Sequence, residues 1–317
     1  MNRRWLCPVI LAAAVGTGGL RGGLASAEDA PPALPTPWLT ATDIAADERT
    51  GDVYVAVAFG MTFETARFSA EGQPKGRWQY TYWRVPDDVA VNARSGETFA
   101  TTSERDKMIL LRYAANGHRP AEIQTGYAGD FVDLAVEEDS GQITLARYYP
   151  DLEVMTLSVD CRLLRQWSAG VSERGATVAR ALDRSIYVGA PAAGGAGGRV
   201  LVFDEDGDKQ YDWPVPEPPT ALAQGLGDEL LVLSATPATP WSGTAARWTV
   251  DGATRPQWAL SGRPTDLDVT RAGIVYIALL RDGGRALAVA RYDMEGHLLG
   301  EWMAFSRLFA PTVAKRG

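Results

Sequence analysis

The stretch "VFDEDGDKQYDW" at residues 202–213 sets Asp204, Asp206 and Asp208 on alternate positions around a glycine. Such spacing is also the opening of a calcium loop, where oxygens at positions 1, 3 and 5 converge on one ion. The rest of the chain decides between an ion loop and a turn. Residues 67–78 (RFSAEGQPKGRW), 112–123 (RYAANGHRPAEI), 156–167 (TLSVDCRLLRQW), 247–258 (RWTVDGATRPQW) and 291–302 (RYDMEGHLLGEW) align with it without a gap, at a period of 44 to 46 residues. The fifth positions are Glu71, Asn116, Asp160, Asp206, Asp251 and Glu295. The sixth are Gly72, Gly117, Cys161, Gly207, Gly252 and Gly296, and the last are Trp78, Ile123, Trp167, Trp213, Trp258 and Trp302. Where 202–213 has "DEDG", other copies have "SAEG" (69–72) and "AANG" (114–117), too poor in carboxylates for an ion. The twelfth place from Asp204, a glutamate in a calcium loop, is Val215. The element is a hairpin turn, since Asn-Gly and Asp-Gly supply the positive φ that a two-residue hairpin turn demands.

The half-unit before each hairpin repeats as well. Residues 43–58 (DIAADERTGDVYVAVA), 88–103, 133–148, 177–191, 220–235 and 266–280 each give a short strand, a turn and a β-rich strand. Four strands per ~45 residues, six times over, predict an all-β, one-domain, six-bladed β-propeller of four-stranded antiparallel blades. The repeats run over about 38–78, 79–123, 124–167, 168–213, 214–258 and 259–302, with a tail at 303–317. "PWLT" before the first blade and "FAPTVA" after the last are both plausible as ring-closing strands.

The unit resembles an NHL repeat: an acid or proline before "D-[IVL]-A-V", then "G-x-[VI]-Y-[VI]", then an aromatic-ended strand, an acid–glycine turn and a tryptophan. The resemblance covers about 38–302; blade 3 departs with Cys161 for glycine, and blades 4 and 5 with Thr177 and Thr220 for the leading aspartate. It implies the propeller and little about activity, because such propellers host binding proteins, lactonases and lyases alike.

Arg3 and Arg4, an apolar run from Trp5 to Val15 and the small residues "GGLASA" have the order of a secretory signal peptide over 1–27, by Sec or Tat export. The acidic, proline-rich 28–37 is a spacer. The expected location is periplasmic or extracellular, with no transmembrane segment after signal removal. Removing the signal removes three arginines and no acid, leaving 28 basic against 39 acidic residues. Such a surface argues against a nucleic-acid partner. Cys161 is then the only cysteine, so no intramolecular disulfide can form.

The five repeated tryptophans are expected to pack between blades. The loops leading into the innermost strands and those joining second to third strands share the upper face; the hairpin turns lie on the lower face. Asp43, Asp88, Asp133 and Asp266 recur at the channel's upper mouth, with Thr177 and Thr220 completing the ring. Two readings compete: a calcium site, or aspartates that each accept backbone N–H groups in their own turns. Unrepeated upper loops carry Phe59, Met61, Phe63, Tyr80, Tyr82, Trp83, Tyr148, Tyr149 and Trp241, aromatics suited to a protein, peptide or glycan partner, with about half of them packed under neighbouring loops. His118 and His297 fall after turn glycines on the lower face, away from any channel chemistry. The expected function is non-catalytic binding through the upper loops, with no cofactor. A calcium-dependent hydrolase or lactonase using the acidic mouth, and a scaffold of an envelope complex, are the alternatives.

Overall fold

A computed structural model describes residues 39–306 apart from Gly60, 82–84, 105–106, 116–120, 125–126, Leu182, Ala196, 237–238 and Pro240; for 39–41, 81, 104 and 124 it describes the backbone alone. The signal sequence, the spacer, "FAPTVA", Tyr82, Trp83 and His118 lie outside the described residues. Twenty-four strands form six four-stranded antiparallel sheets, each built from four consecutive strands. The blades span residues 39–81, 88–124, 130–168, 177–215, 219–260 and 263–305. Each outermost strand therefore runs one to three residues past the repeated tryptophan or isoleucine. The innermost strands are Leu39–Asp47, Asp88–Asn92, Asp130–Val136, Thr177–Arg180, Pro219–Gln224 and Arg263–Val269. They neighbour one another in order, and the sixth neighbours the first. Leu39 and Thr40 begin the innermost strand of blade 1, and among the described residues no strand is shared between blades. Among the described residues, blades 6 and 1 are joined by side chains.

The core follows the blade seams. Six apolar clusters each join one blade to the next, for example Val53, Val55 and Phe68 with Tyr276, Leu287 and Phe305 between blades 1 and 6. The second strands are buried along almost their whole length, as Asp52–Phe59 and Ile143–Tyr148 show. Buried on both faces, they read as continuous apolar runs. Outermost strands such as Leu163–Ser168 are mostly exposed.

The acid–glycine turns are tighter on paper than in the fold. A two-residue turn of the expected type needs positive φ at both central residues, yet the acids before the glycines are absent from the left-handed region. Instead Gly207 N–H donates to Asp204 O at 3.1 Å and Asp204 N–H to Asp208 O at 3.1 Å, with the third strand's register shifting beside the turn. This is a four-residue turn followed by a bulge in which only the glycine has positive φ. Asp204 spends its carboxylate on the turn itself: Oδ1 accepts from Asp206 N (3.0 Å) and Asp208 N (2.9 Å), and Oδ2 from Gln210 (2.8 Å). No oxygen of it is left for an ion.

These glycines carry the seam. A β-carbon built on Gly72, Gly207, Gly252 or Gly296 would lie 2.5 to 2.8 Å from the indole of Trp302, Trp167, Trp213 or Trp258. Each indole thus lies flat over the turn of the following blade. Blade 2 ends in Ile123 instead, and the turn facing it carries Cys161. The smaller side chain leaves room for a β-carbon and sulfur, and Cys161 takes up the left-handed φ of 60° that glycine holds elsewhere. The two departures from the repeat compensate one another. Beside the joints, Arg291 donates to Ala70 O (2.6 Å), Arg247 to Met294 O (2.8 Å), Arg112 to Val159 O (3.4 Å) and Arg165 to Glu205 O (2.8 Å), all at the same turn position.

Candidate functional site

The innermost strands wall a cavity of about 240 Å³, lined among others by Asp43, Asp133, Asp266, Asp268, Glu138 and Arg180. The repeated aspartates belong to these strands rather than to loops: Asp43, Asp133 and Asp266 sit within them, and Asp88 is the first strand residue. Their bonds are not confined to their own turns: Asp133 Oδ1 accepts the adjacent Leu134 N–H at 3.0 Å, but three of the aspartates also reach across a seam. Asp266 Oδ2 accepts Ile44 N–H at 2.7 Å, and Asp43 Oδ2 accepts Val91 N–H at 2.6 Å. Asp133 Oδ2 accepts the Thr177 hydroxyl at 2.6 Å and also Val178 N–H. Each of these carboxylates therefore holds the backbone of the following blade, where a pleated innermost strand leaves an N–H facing the seam with no strand partner. Thr177 stands in the aspartate place because it donates to the previous blade's acid. Asp268 does the same one turn of the pleat lower, to Ala46 N–H at 2.7 Å. The sequence reading missed Asp268, although its spacing of two from Asp266 puts both on one face of the strand.

Crowding raises these acids. Burial, then the charges of Asp268 and Asp133, push Asp43 up to about 7 despite its hydrogen bonds with Asp266 and Val91. Burial and the charge of Asp133 push Asp88 well above the usual carboxylate range; burial and Asp43 do the same to Asp266. Asp133 is raised by burial and Asp268 to about 6 by the same cause. At the lower end, burial and the nearby Asp268, Asp47 and Glu48 push Glu138 up to about 8. The arginines there are already engaged: Arg180 with Glu137 (3.4 Å), and Arg271 with Glu48 (3.3 Å) and Asp139 (3.5 Å), which Arg94 also pairs.

Calcium takes six to eight oxygens at 2.3–2.6 Å. The ring meets that demand poorly, because Asp43 Oδ2, Asp133 Oδ2 and Asp266 Oδ2 already accept N–H or hydroxyl donors, and of the four only Asp88 Oδ2 is buried without a donor. Among the described residues no three His, Cys, Asp or Glu side chains are placed to hold a metal ion.

The upper loops divide into buried and exposed groups. Phe63, Tyr80 and Tyr148 are buried. Phe63 and Tyr80 form an aromatic cluster with Tyr113 between blades 1 and 2, with centroids 4.1 to 4.8 Å apart. Tyr80 follows Trp78 by two and so shares its inward face. Tyr148 donates its hydroxyl to Glu173 O, under the cation of Arg174. These three rings support the loops and cannot grip a partner. Phe59 is partly buried against the seam of blades 1 and 6. Met61 (54% exposed), Tyr149 (57%) and Trp241 (46%) stand out of the upper loops of blades 1, 3 and 5. Val85, unanticipated, joins them at 43% in the loop between blades 1 and 2. Tyr149 lies against Arg147, which is buried and fixed by Glu153 and Ala128 O. Trp241 reaches the blade 6 loop at Gly284.

Neither the described histidine nor the described cysteine faces the channel, whose one described hydroxyl–carboxylate pair, Thr177 with Asp133, spans a blade seam. His297 is exposed on the lower face, held by Asp293 at 2.8 Å. Cys161 is buried at a seam, and burial pushes its thiol up to about 11, where the nucleophilic thiolate is scarce. No protein-family model matches the chain, and no curated protein sequence matches it.

Proposed function

We propose that this protein is an exported, NHL-type propeller that binds a protein, peptide or glycan partner through its upper loops and does no chemistry of its own. The observation that supports the reading is the set Met61, Val85, Tyr149 and Trp241: large apolar side chains exposed on unrepeated loops of one face. Exposed aromatics with firm backing suit recognition, since little side-chain freedom is lost on contact. Arg147 backs Tyr149 in this way. The channel gives the hydrolase reading less support, because Asp43, Asp133, Asp266 and Asp268 each spend an oxygen on the neighbouring blade.

The test immobilises the mature chain, passes an envelope fraction or a glycan library over it, and compares wild type with Tyr149→Ala, Trp241→Ala and Tyr211→Ala. Tyr211 is an exposed ring on an outermost strand, away from the upper loops. Loss of retained ligand with the first two and not the third supports the reading. Equal retention by all three defeats it.

A further inference from the structure

We infer that the channel aspartates bind protons in place of a metal ion: Asp43 with Asp266, and Asp88 with Asp133, each share one proton across a blade seam, so that the ring is tighter in mildly acid than in mildly alkaline solution. The geometry behind this is specific. The strands of blades 1 and 6 set Asp43 opposite Ala56 and Asp266 opposite Ala278, the same level in neighbouring blades. Those of blades 2 and 3 set Asp88 opposite Thr101 and Asp133 opposite Ala146, again at one level. Side-chain hydrogen bonds join Asp43 to Asp266 and Asp88 to Asp133. Asp88 is 7% exposed, and its buried Oδ2 has no donor unless a proton lies between the two carboxyls. Leaving such an oxygen ionised and unpaired inside a seam is costly, whereas a shared proton turns the same contact into a hydrogen bond. Like charges this close do not both ionise at ordinary pH.

The groups facing these pairs are acidic. Asp43 meets Asp266 and Asp268 from blade 6, Asp88 from blade 2 and Asp133 from blade 3. Toward Asp133, blade 4 brings the Thr177 hydroxyl and Val178 N–H. The cations at the lower end, Arg180, Arg94 and Arg271, are engaged with Glu137, Glu48 and Asp139. None of these cations neutralises the pairs, so the proton does. The pairs also explain how one ring accommodates four aspartates where a calcium site would need free oxygens.

The sign follows from linkage. These carboxyls are raised in the folded chain, so the native state keeps protons that the unfolded chain has released. Their stabilisation is full below the ordinary carboxylate range and is lost as pH rises through their raised folded-state values, about 7 for Asp43. The experiment is thermal unfolding of the mature chain in EDTA from pH 5 to 8.5, repeated with millimolar calcium, for wild type, Asp43→Asn and Asp88→Asn. The expected result is a Tm that falls by several degrees across this range in wild type, is unmoved by calcium, and falls less in either variant, whose amide donates at every pH. A flat or rising Tm overturns the inference, and so does a calcium-dependent rise that Asp43→Asn abolishes. Should the variants not fold, infrared spectra of wild type at pH 6 decide instead. A carboxylic-acid C=O band from buried groups is expected, and its absence overturns the proposal.

Discussion

On the lower face, five outer hairpins close with the same pair of hydrogen bonds, one from the N–H of a glycine or Cys161 to the carbonyl three residues earlier and one from that earlier residue's N–H to the carbonyl four residues on. On the upper face the loops share neither length nor composition: a short step past Met61, the tight Tyr149–Asp151 corner, and a longer excursion to Trp241. The first face is periodic because each turn must receive the indole of the blade before it, and any change there has to be matched across a seam. The second is free of that demand. What repeats on the lower face holds neighbouring blades together, whereas the unrepeated upper loops leave Met61, Tyr149 and Trp241 exposed.

The largest break in the lower face comes from removing an indole. Trp213, 7% exposed over Gly252, is expected to cost ~3–5 kcal/mol on truncation to alanine, read by urea denaturation. Its Nε1 is buried without a hydrogen-bond partner, so Trp213→Phe forfeits no such bond and is expected to retain most of that stability. If phenylalanine costs as much as alanine, stacking over the turn is not what Trp213 supplies. Next in size, Gly252→Ala puts a β-carbon 2.8 Å from the indole at a φ of +91°, an overpacking of about 1–3 kcal/mol.

The seam of blades 2 and 3 sharpens the comparison. Ile123→Trp alone is expected to destabilise, because Cys161 fills the place of the turn glycine. Combined with Cys161→Gly it should recover, with a coupling of about 0.5–3 kcal/mol in a double-mutant cycle. Simple additivity would mean that the two departures arose independently of one another's space.

A smaller effect separates the channel from the periphery. Against its burial, Lys75 and Arg67 hold the Asp52 carboxyl below the usual range, and Arg199 and Lys209 do so for Asp212. Their stabilisation is present above the ordinary carboxylate range and is lost as pH falls through their lowered folded-state values, opposite in sign to the channel pairs. Stability is therefore expected to peak between about pH 4 and 6, where both sets contribute. Asp52→Asn should weaken the acid limb alone. A maximum above pH 7.5 would show that the channel acids are ionised.

The legible part of the molecule was the part under repetition. Blade count, strand order and the seam role of the tryptophans follow from aligned residues such as Gly207 and Trp213. The turn type did not, because Asp206-Gly207 suits two hairpin geometries that differ only in the φ of the residue before glycine. The leading aspartates were found, but their partners were not: spacing along one chain cannot say whether Asp266 bonds its own turn or Ile44, 222 positions away. Nor can an unrepeated aromatic declare its exposure. Phe63 and Tyr149 look alike in the sequence, and what buries one and not the other is the neighbouring blade.

The most direct test of the account replaces Trp241 and, separately, Tyr211 with photoreactive benzoylphenylalanine and irradiates the mature protein in an envelope fraction. Both rings are exposed aromatics, one on an upper loop and one on an outermost strand. The account predicts a discrete adduct from position 241, lost when Tyr149→Ala is added, and none from 211, with folding stability unchanged to within about 0.5 kcal/mol. Adducts from 211 alone, or a 241 adduct indifferent to Tyr149, would contradict it and move the working surface off the upper loops.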